Sequence, residues 1–325
     1  MASSIFEMDG AMTDSKHLIQ LQNITVTGLR DGFFYLDGGA MFGVVPKVLW
    51  QKLMPADADN RIKLGLNSLL VQTPSANVLI ETGIGGLLKA KYYDIYSVVR
   101  EPGLMGELEK LGIRPENIDV VINTHLHFDH CGGNTIKNAA GDIVPAFPKA
   151  RYIIQKGEWE AAVSPTPRDR ASYLKQNFVP LEEAGVLDLV DGDTQVTPGV
   201  EVVIAEGHTA RHQCVRITDG AATVFFLGDL VPTSAHVGLP YIMSYDLFPL
   251  DTLRTKERLY EEASSKDWTV AFNHDPDLYF GHIHHAVMET DLGRHEADEF
   301  LDLLGLFDDI EPKNGTASGS REQEA

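Results

Sequence analysis

The stretch Thr-His-Leu-His-Phe-Asp-His-Cys-Gly-Gly, residues 124–133, sets His125, His127, Asp129 and His130 within six consecutive positions. Neutral imidazole and carboxylate are the groups that zinc and similar divalent ions accept in catalytic sites. In extended backbone alternate residues point the same way, so His125 and His127 can share one ion. Asp129 and His130, past the bend, are free to face a second, and Gly132 and Gly133 let the chain turn sharply there.

One loop cannot complete two such sites, and three other apolar runs end in a ligand-type residue. His208 follows Val202-Val203-Ile204-Ala205, Asp229 follows Phe226-Leu227-Gly228, and His274 follows Thr269-Val270-Ala271. Placing one metal-binding side chain after each of several buried strands is a pattern that surface composition does not produce.

The order His-x-His-x-Asp-His, then Gly-His-Thr, then Gly-Asp, then a late His resembles the metallo-β-lactamase superfamily of metallohydrolases over roughly residues 20–290. The resemblance implies an α/β fold, an αββα sandwich of two mixed sheets packed face to face with helices outside. It implies two divalent ions, zinc first, with Mn, Fe or Co accepted by the same N/O ligands. By the same resemblance His125, His127 and His208 hold one ion, Asp129, His130 and His274 hold the other, and Asp229 bridges them. Such a pair, about 3.5–4 Å apart, generates a bridging hydroxide that attacks a carbonyl or phosphoryl centre, with Asp129 passing the proton to the leaving group. The chain has no Gly-x-Ser-x-Gly elbow, as expected if the nucleophile is not a serine.

The segments Leu36-Asp37-Gly38-Gly39-Ala40-Met41-Phe42-Gly43, Gly228-Asp229-Leu230-Val231-Pro232 and Asn273-His274-Asp275-Pro276 are similar to a branch holding quorum-quenching N-acyl-homoserine lactonases and methyl-parathion-type hydrolases. This resemblance implies lactone opening, with phosphotriester or aryl ester hydrolysis as the alternative and a non-catalytic metal-binding module as the third. Many lactonases of the superfamily carry a tyrosine three residues past the bridging aspartate as an oxyanion donor. Pro232 stands there in this chain, and His236 and Tyr245 are the candidates to replace it. The apolar segments 39–50 and 232–249 are expected to rim the cleft.

Among the remaining polar residues, His212 and Glu81 are candidates to support the ligand histidines. Cys131 reads as a small buried side chain, Asp275 as a turn residue, and His282-Ile283-His284-His285 as a cluster without strand-end partners.

The elements that position these residues are legible in part. A hairpin is expected from Ile24–Leu29 through the Asp31-Gly32 turn to Phe33–Leu36, and further strands at 67–73, 77–82, 118–123, 151–155, 200–205, 213–218, 222–228 and 269–273. Helices are expected at 103–111, 156–163, 168–177, from a cap at Asp251 to about 266, and near 295–304. Residues 1–20 read as an arm, 21–311 as a single hydrolase domain, and 312–325 as a disordered tail rich in Gly, Ser and charge.

The composition limits the partners. A net charge of −20 opposes nucleic acid and anionic membrane surfaces, leaving small-molecule lactones or esters. Two cysteines cannot build a disulfide framework, and no apolar run reaches the about 20 residues of a membrane span. With no basic and apolar leader at the start, the expectation is a cytoplasmic protein. The exposed arm and apolar loops point to a possible homodimer.

Overall fold

The computed structural model describes residues 17–284 and 287–290. Two seven-stranded sheets form its frame. In the first, Leu18–Gln20, Thr25–Asp37, Arg61–Gln72 and Asn77–Ile80 run antiparallel, then Val120–Ile122, Arg151–Gln155 and Leu187–Val190 add in parallel. The second runs Thr194–Thr197, Val200–Ile204, Gln213–Asp219, Ala222–Phe226, Thr269–Ala271, Phe280–His284 and Val287–Thr290, parallel only between Ala222–Phe226 and Thr269–Ala271.

Alternation along the strands builds three layers of core. Val78, Ile80, Val120 and Ile122 of the first sheet meet Val202, Val215, Val224 and Phe226 of the second in a cluster between the sheets. The intervening Leu79 and Val121 point outward, where they pack with Leu104 and Leu108 of the helix Gly103–Lys110 and Trp159 and Ala162 of the helix Lys156–Val163. On the far side Val203, Phe225 and Val270 meet Leu259, Tyr260 and Ala263 of the helix Pro249–Ser265. Period-two alternation with both faces apolar is what a strand buried on each side requires. The result is an αββα sandwich.

Several expectations are corrected. The Asp31-Gly32 pair is no hairpin turn: Thr25–Asp37 is one strand with a bulge between Arg30 and Gly32. The extra residue turns the buried Asp31 carboxylate inward, where it accepts from Arg100 and from the backbone N–H groups of Ile84 and Leu104. Residues 168–177 hold turns and a single 3₁₀ turn at Lys175–Asn177 instead of a helix. Their polar groups are committed to local closures such as Thr166 Oγ1 on Asp169, and Ser172 gives its carbonyl to Phe128 N–H. The last long helix starts at Pro249, whose fixed φ suits a first turn, while Asp251 pairs with Arg254 instead of capping. Leu18–Gln20 of the expected arm is an edge strand; residues 1–16, the helix expected near 295–304 and the tail lie outside the described residues. No helix of the described residues is long and apolar enough to cross a membrane.

Candidate metal centre

The strands Asn77–Ile80, Val120–Ile122, Val200–Ile204, Ala222–Phe226 and Thr269–Ala271 all end at the same edge of the sandwich. The residues that follow them therefore converge. Glu81, the 125–130 loop, His208, Asp229 and His274 meet there, and Glu81 and all seven ligand-type residues are at most 8 % exposed.

Every ligand-type histidine except His127 has one ring nitrogen next to a protein group behind it and the other facing the centre. His125 Nδ1 meets Thr124 Oγ1 at 3.0 Å, His208 Nδ1 meets Asp246 Oδ1 at 2.8 Å, and His274 Nδ1 meets the Gly65 carbonyl at 2.8 Å. His130 Nδ1 lies 3.6 Å from Glu81 Oε1. The contacts to Asp246 and Gly65 fix ring orientation and tautomer at His208 and His274, while those to Thr124 and Glu81 orient the rings of His125 and His130.

The inward atoms form two groups that share Asp229. His127 Nδ1 and His208 Nε2 are 3.1 Å apart, and Asp229 Oδ2 lies 3.3 Å from His208 Nε2 and 4.0 Å from His125 Nε2. On the other side Asp229 Oδ1 lies 3.1 Å from His274 Nε2 and 3.3 Å from His130 Nε2, with Asp129 Oδ2 at 3.6 Å and 3.8 Å from the same two nitrogens. Ligand atoms each about 2.0–2.2 Å from a common ion at tetrahedral angles stand roughly 3.3 Å apart, so both groups have the spacing of a coordination shell. Among the inward atoms His125 Nε2 and Asp229 Oδ1 are buried without a hydrogen bond. A buried imidazole nitrogen and a buried carboxylate oxygen left unsatisfied side by side mark a place that a cation would fill.

The electrostatics favour a cation except at His130 and His208, which the surrounding carboxylates raise, so that each holds a proton an ion would displace. Burial, reinforced by the neighbouring imidazoles, holds His125 and His127 well below the usual histidine range, so both present lone pairs. Burial also opposes charge on His130, but Asp229, Asp129 and Glu81 outweigh it and push that histidine well above its ordinary value. Burial raises Asp229, and His130, His274 and His208 outweigh it, holding the carboxyl far below its usual range. A carboxylate kept ionised among imidazoles would give a cation bound there its counter-charge.

A cavity of about 290 Å³ opens onto this centre. Leu36, Met41, Tyr96, Phe128, Met243 and Leu247 supply its apolar wall, and Arg168, Asp169, Ser172 and Ser244 its polar side. Segments 39–50 and 232–249 are divided between rimming it, through Met41, Met243, Ser244, Tyr245 and Leu247, and ordinary core. Phe42, Val45, Trp50 and Tyr241 are packed into a core cluster of their own, and Val44 is 89 % exposed.

A family model described as the metallo-beta-lactamase superfamily matches residues 63–274, about two thirds of the chain. The chain belongs to the metallo-beta-lactamase superfamily. Within it, the sequence is similar to an N-acyl homoserine lactonase of Bacillus thuringiensis, 26% identical over 63% of this chain and 79% of that one. The lactonase AttM of Agrobacterium fabrum is 26% identical over 57% of this chain and 70% of its own length. A probable metal-dependent hydrolase from Staphylococcus aureus superposes with a TM-score of 0.79 at 29% identity, over 85% of this chain and 99% of that one. The fold is also that of AidC, a dizinc quorum-quenching lactonase solved with its product, at a TM-score of 0.68 and 18% identity over 82% and 92% of the two chains.

In this metallo-beta-lactamase chain the supporting residues differ in part from expectation. His212 anchors the backbone of the shared aspartate. Its Nε2 accepts the Asp229 backbone N–H at 3.1 Å while Nδ1 meets the Ala205 carbonyl at 3.2 Å. Gly228 makes that possible, since its φ of 53° is left-handed and a Cβ there would stand 2.7 Å from His212 Nε2. Glu81, itself left-handed at φ 63°, turns its carboxylate under the loop and accepts Thr124 N–H at 2.8 Å. Cys131 is buried, and its thiol meets the Leu126 carbonyl. Asp275 is a turn residue that also ties Ser234 to the His274 loop.

His236 is excluded as an oxyanion donor. It is fully buried, stacks on Phe42 at 4.3 Å, and has both nitrogens engaged, by Thr233 Oγ1 and the Met41 carbonyl. Tyr245 does line the cavity, as does Tyr96, which stacks on Phe128 at 5.4 Å.

Two further carboxylates support the centre without any signal in the sequence. Asp246 backs His208, and its other oxygen accepts from Thr252 Oγ1 at 2.8 Å. Glu158 is buried between the ligand loops and accepts from Leu126 N–H, Tyr173 Oη and Thr209 Oγ1 at 2.7–2.9 Å. Local patterns along the chain cannot reveal either. The site partner of Asp246 is 38 positions away, and those of Glu158 are 32 and 51 positions away.

Proposed function

We propose that this protein is a dinuclear metal-dependent lactonase that opens N-acyl-homoserine lactones. The observation that carries the reading is the pair of ligand groups sharing Asp229 on the floor of a cavity with an apolar wall. His125, His127 and His208 would hold one ion, Asp129, His130 and His274 the other, with Asp229 common to both. The similarity to lactonases over most of the domain supports lactone among the superfamily's substrates.

Held by these residues, two such ions would supply Lewis acidity and a water whose pKa falls toward neutrality. The chain's own residues do the rest. Asp129 Oδ2 faces both the ligand nitrogens and the cavity, so it is placed to take the proton of the attacking water and return it to the ring oxygen as the ester bond breaks. Asp229, kept ionised, fixes the two groups relative to each other. Tyr245 and Tyr96 offer phenolic donors at the cavity wall. Leu36, Met41, Phe128, Met243 and Leu247 accept the acyl chain and exclude water around the reacting carbonyl. The products are a hydroxyl and a carboxylate on one opened molecule.

The test is a kinetic comparison, on metal-replete protein, of C4 to C12 acyl-homoserine lactones with paraoxon-type triesters and aryl esters. A kcat/KM higher for a lactone than for every triester and aryl ester supports the reading. A higher value for a triester or aryl ester assigns the alternative hydrolase, and no turnover with two bound ions assigns a metal-binding module.

A further inference from the structure

Lys256 is a lysine with no exposed surface, on the buried side of the helix Pro249–Ser265. Its Nζ donates to three backbone carbonyls, those of His236 at 2.8 Å, Gly238 at 2.7 Å and Tyr241 at 3.2 Å. An ammonium has three N–H donors and no acceptor, and here each donor has one carbonyl. The neutral amine has only two, so one carbonyl would then face a lone pair.

Those carbonyls belong to the segment that leads into the cavity wall. Met243, Tyr245 and Leu247 line the cavity, and Asp246 among them backs His208. The far end of the segment is tied to the same helix by Thr252 Oγ1 on Asp246, and Tyr260 Oη donates to the Val237 carbonyl. We propose that Lys256 is the positioning residue of the substrate wall: its ammonium gathers residues 236–241 and thereby sets Met243, Tyr245 and Leu247 against the substrate. The proposal rests on the cavity being the lactone site.

The charged and titratable groups facing Lys256 among the described residues are few. Asp246 favours the ammonium, His236 is held neutral by burial, and the Tyr241 and Tyr260 phenols are pushed up by burial. Burial dominates at Lys256 and brings it down to about 7. The clamp is therefore complete below neutrality and loses its third hydrogen bond above it. Acyl-homoserine lactones carry no titrating group in this range, but the metal-bound water proposed above would, so a KM change counts for the clamp only where the near-UV signal moves with it.

The experiment follows KM and kcat separately from pH 6 to 8.5 in the wild type, Lys256→Arg and Lys256→Met. Near-UV circular dichroism of the same samples reads the Trp50–Phe42–Tyr241 aromatic cluster, which packs against the gathered segment. In the wild type KM is expected to rise about fivefold to tenfold with a midpoint near 7, the worth of one hydrogen bond, and the near-UV signal to move with it. Lys256→Arg, charged throughout, removes the midpoint from both signals, and Lys256→Met, with no donor, gives a high and pH-independent KM. A wild-type KM and near-UV signal flat across this range overturn the proposal even if neither variant folds. So does a near-UV midpoint that persists in Lys256→Arg. If no lactone is turned over, the function proposed above fails, and the near-UV titration still decides the clamp.

Discussion

Asp246→Ala isolates the support behind one ligand histidine without touching any proposed ligand. The Asp246 carboxylate is 3 % exposed and accepts two hydrogen bonds, from His208 Nδ1 and Thr252 Oγ1, both at 2.8 Å. Truncation frees the His208 ring to rotate and removes the negative charge that strengthens its donor nitrogen. Loss of such a partner typically weakens metal binding about 10–100-fold, or roughly 1.4–2.7 kcal/mol. The hydroxyl of Thr252 has a fallback acceptor in the Phe248 carbonyl at 3.4 Å, so most of the penalty falls on His208. Asp246→Asn keeps an oxygen for His208 Nδ1–H and an amide that the Thr252 oxygen can accept from, so its loss is expected to stay below about tenfold. Competition against a chromophoric chelator at neutral pH measures both variants. Half of the bound metal is expected to weaken selectively in Asp246→Ala, because His130 and His274 are backed by Glu81 and Gly65 instead. Two ions held by Asp246→Ala as tightly as by the wild type would refute this account of His208.

Other expectations concern the fold around the site. His236 is brought by burial down to about 3, below the 6.5 of an unfolded chain, so the unfolded state takes up the extra proton. Stability should therefore fall as pH drops below about 6.5, at up to about 1.4 kcal/mol per unit. Denaturant titrations of metal-free wild type and His236→Gln between pH 7 and 5 should differ in slope by about one proton; equal slopes would contradict the assignment. Gly228→Ala forces a Cβ into the contact between His212 and the Asp229 backbone at a left-handed position, and should lower stability by about 1–3 kcal/mol with loss of bound metal. Unchanged melting and metal content would show that the backbone there relaxes freely.

What could be read in the sequence follows from where the information resides. The 124–133 loop is legible because its chemistry is packed into consecutive residues, and His208, Asp229 and His274 because each follows a run of buried strand residues. The alternating apolar strands also carry the sandwich, since a strand buried on both faces has few alternatives. Asp246 is different: its meaning comes from a contact 38 positions away with His208, and nothing in Ser-Tyr-Asp-Leu announces it. Glu158 looks like an ordinary acid in a helix first turn until the fold brings two ligand loops over it. Asp31-Gly32 carries the local signal of a hairpin turn, and only the distant Arg100, Ile84 and Leu104 convert it into a bulge. Lys256 falls at helical spacing on the same side as Leu259, Tyr260 and Ala263, but nothing local shows that three carbonyls of a distant loop receive its ammonium there.

The central claim is that two ions on these residues open a lactone. Metal-free protein titrated with zinc, with acid release from N-hexanoyl-homoserine lactone followed in a pH-stat, tests it directly. The account predicts turnover that climbs with added metal, reaches its plateau at two equivalents per chain, and is absent in Asp229→Ala. Turnover that is full without metal, or that Asp229→Ala retains, would contradict it.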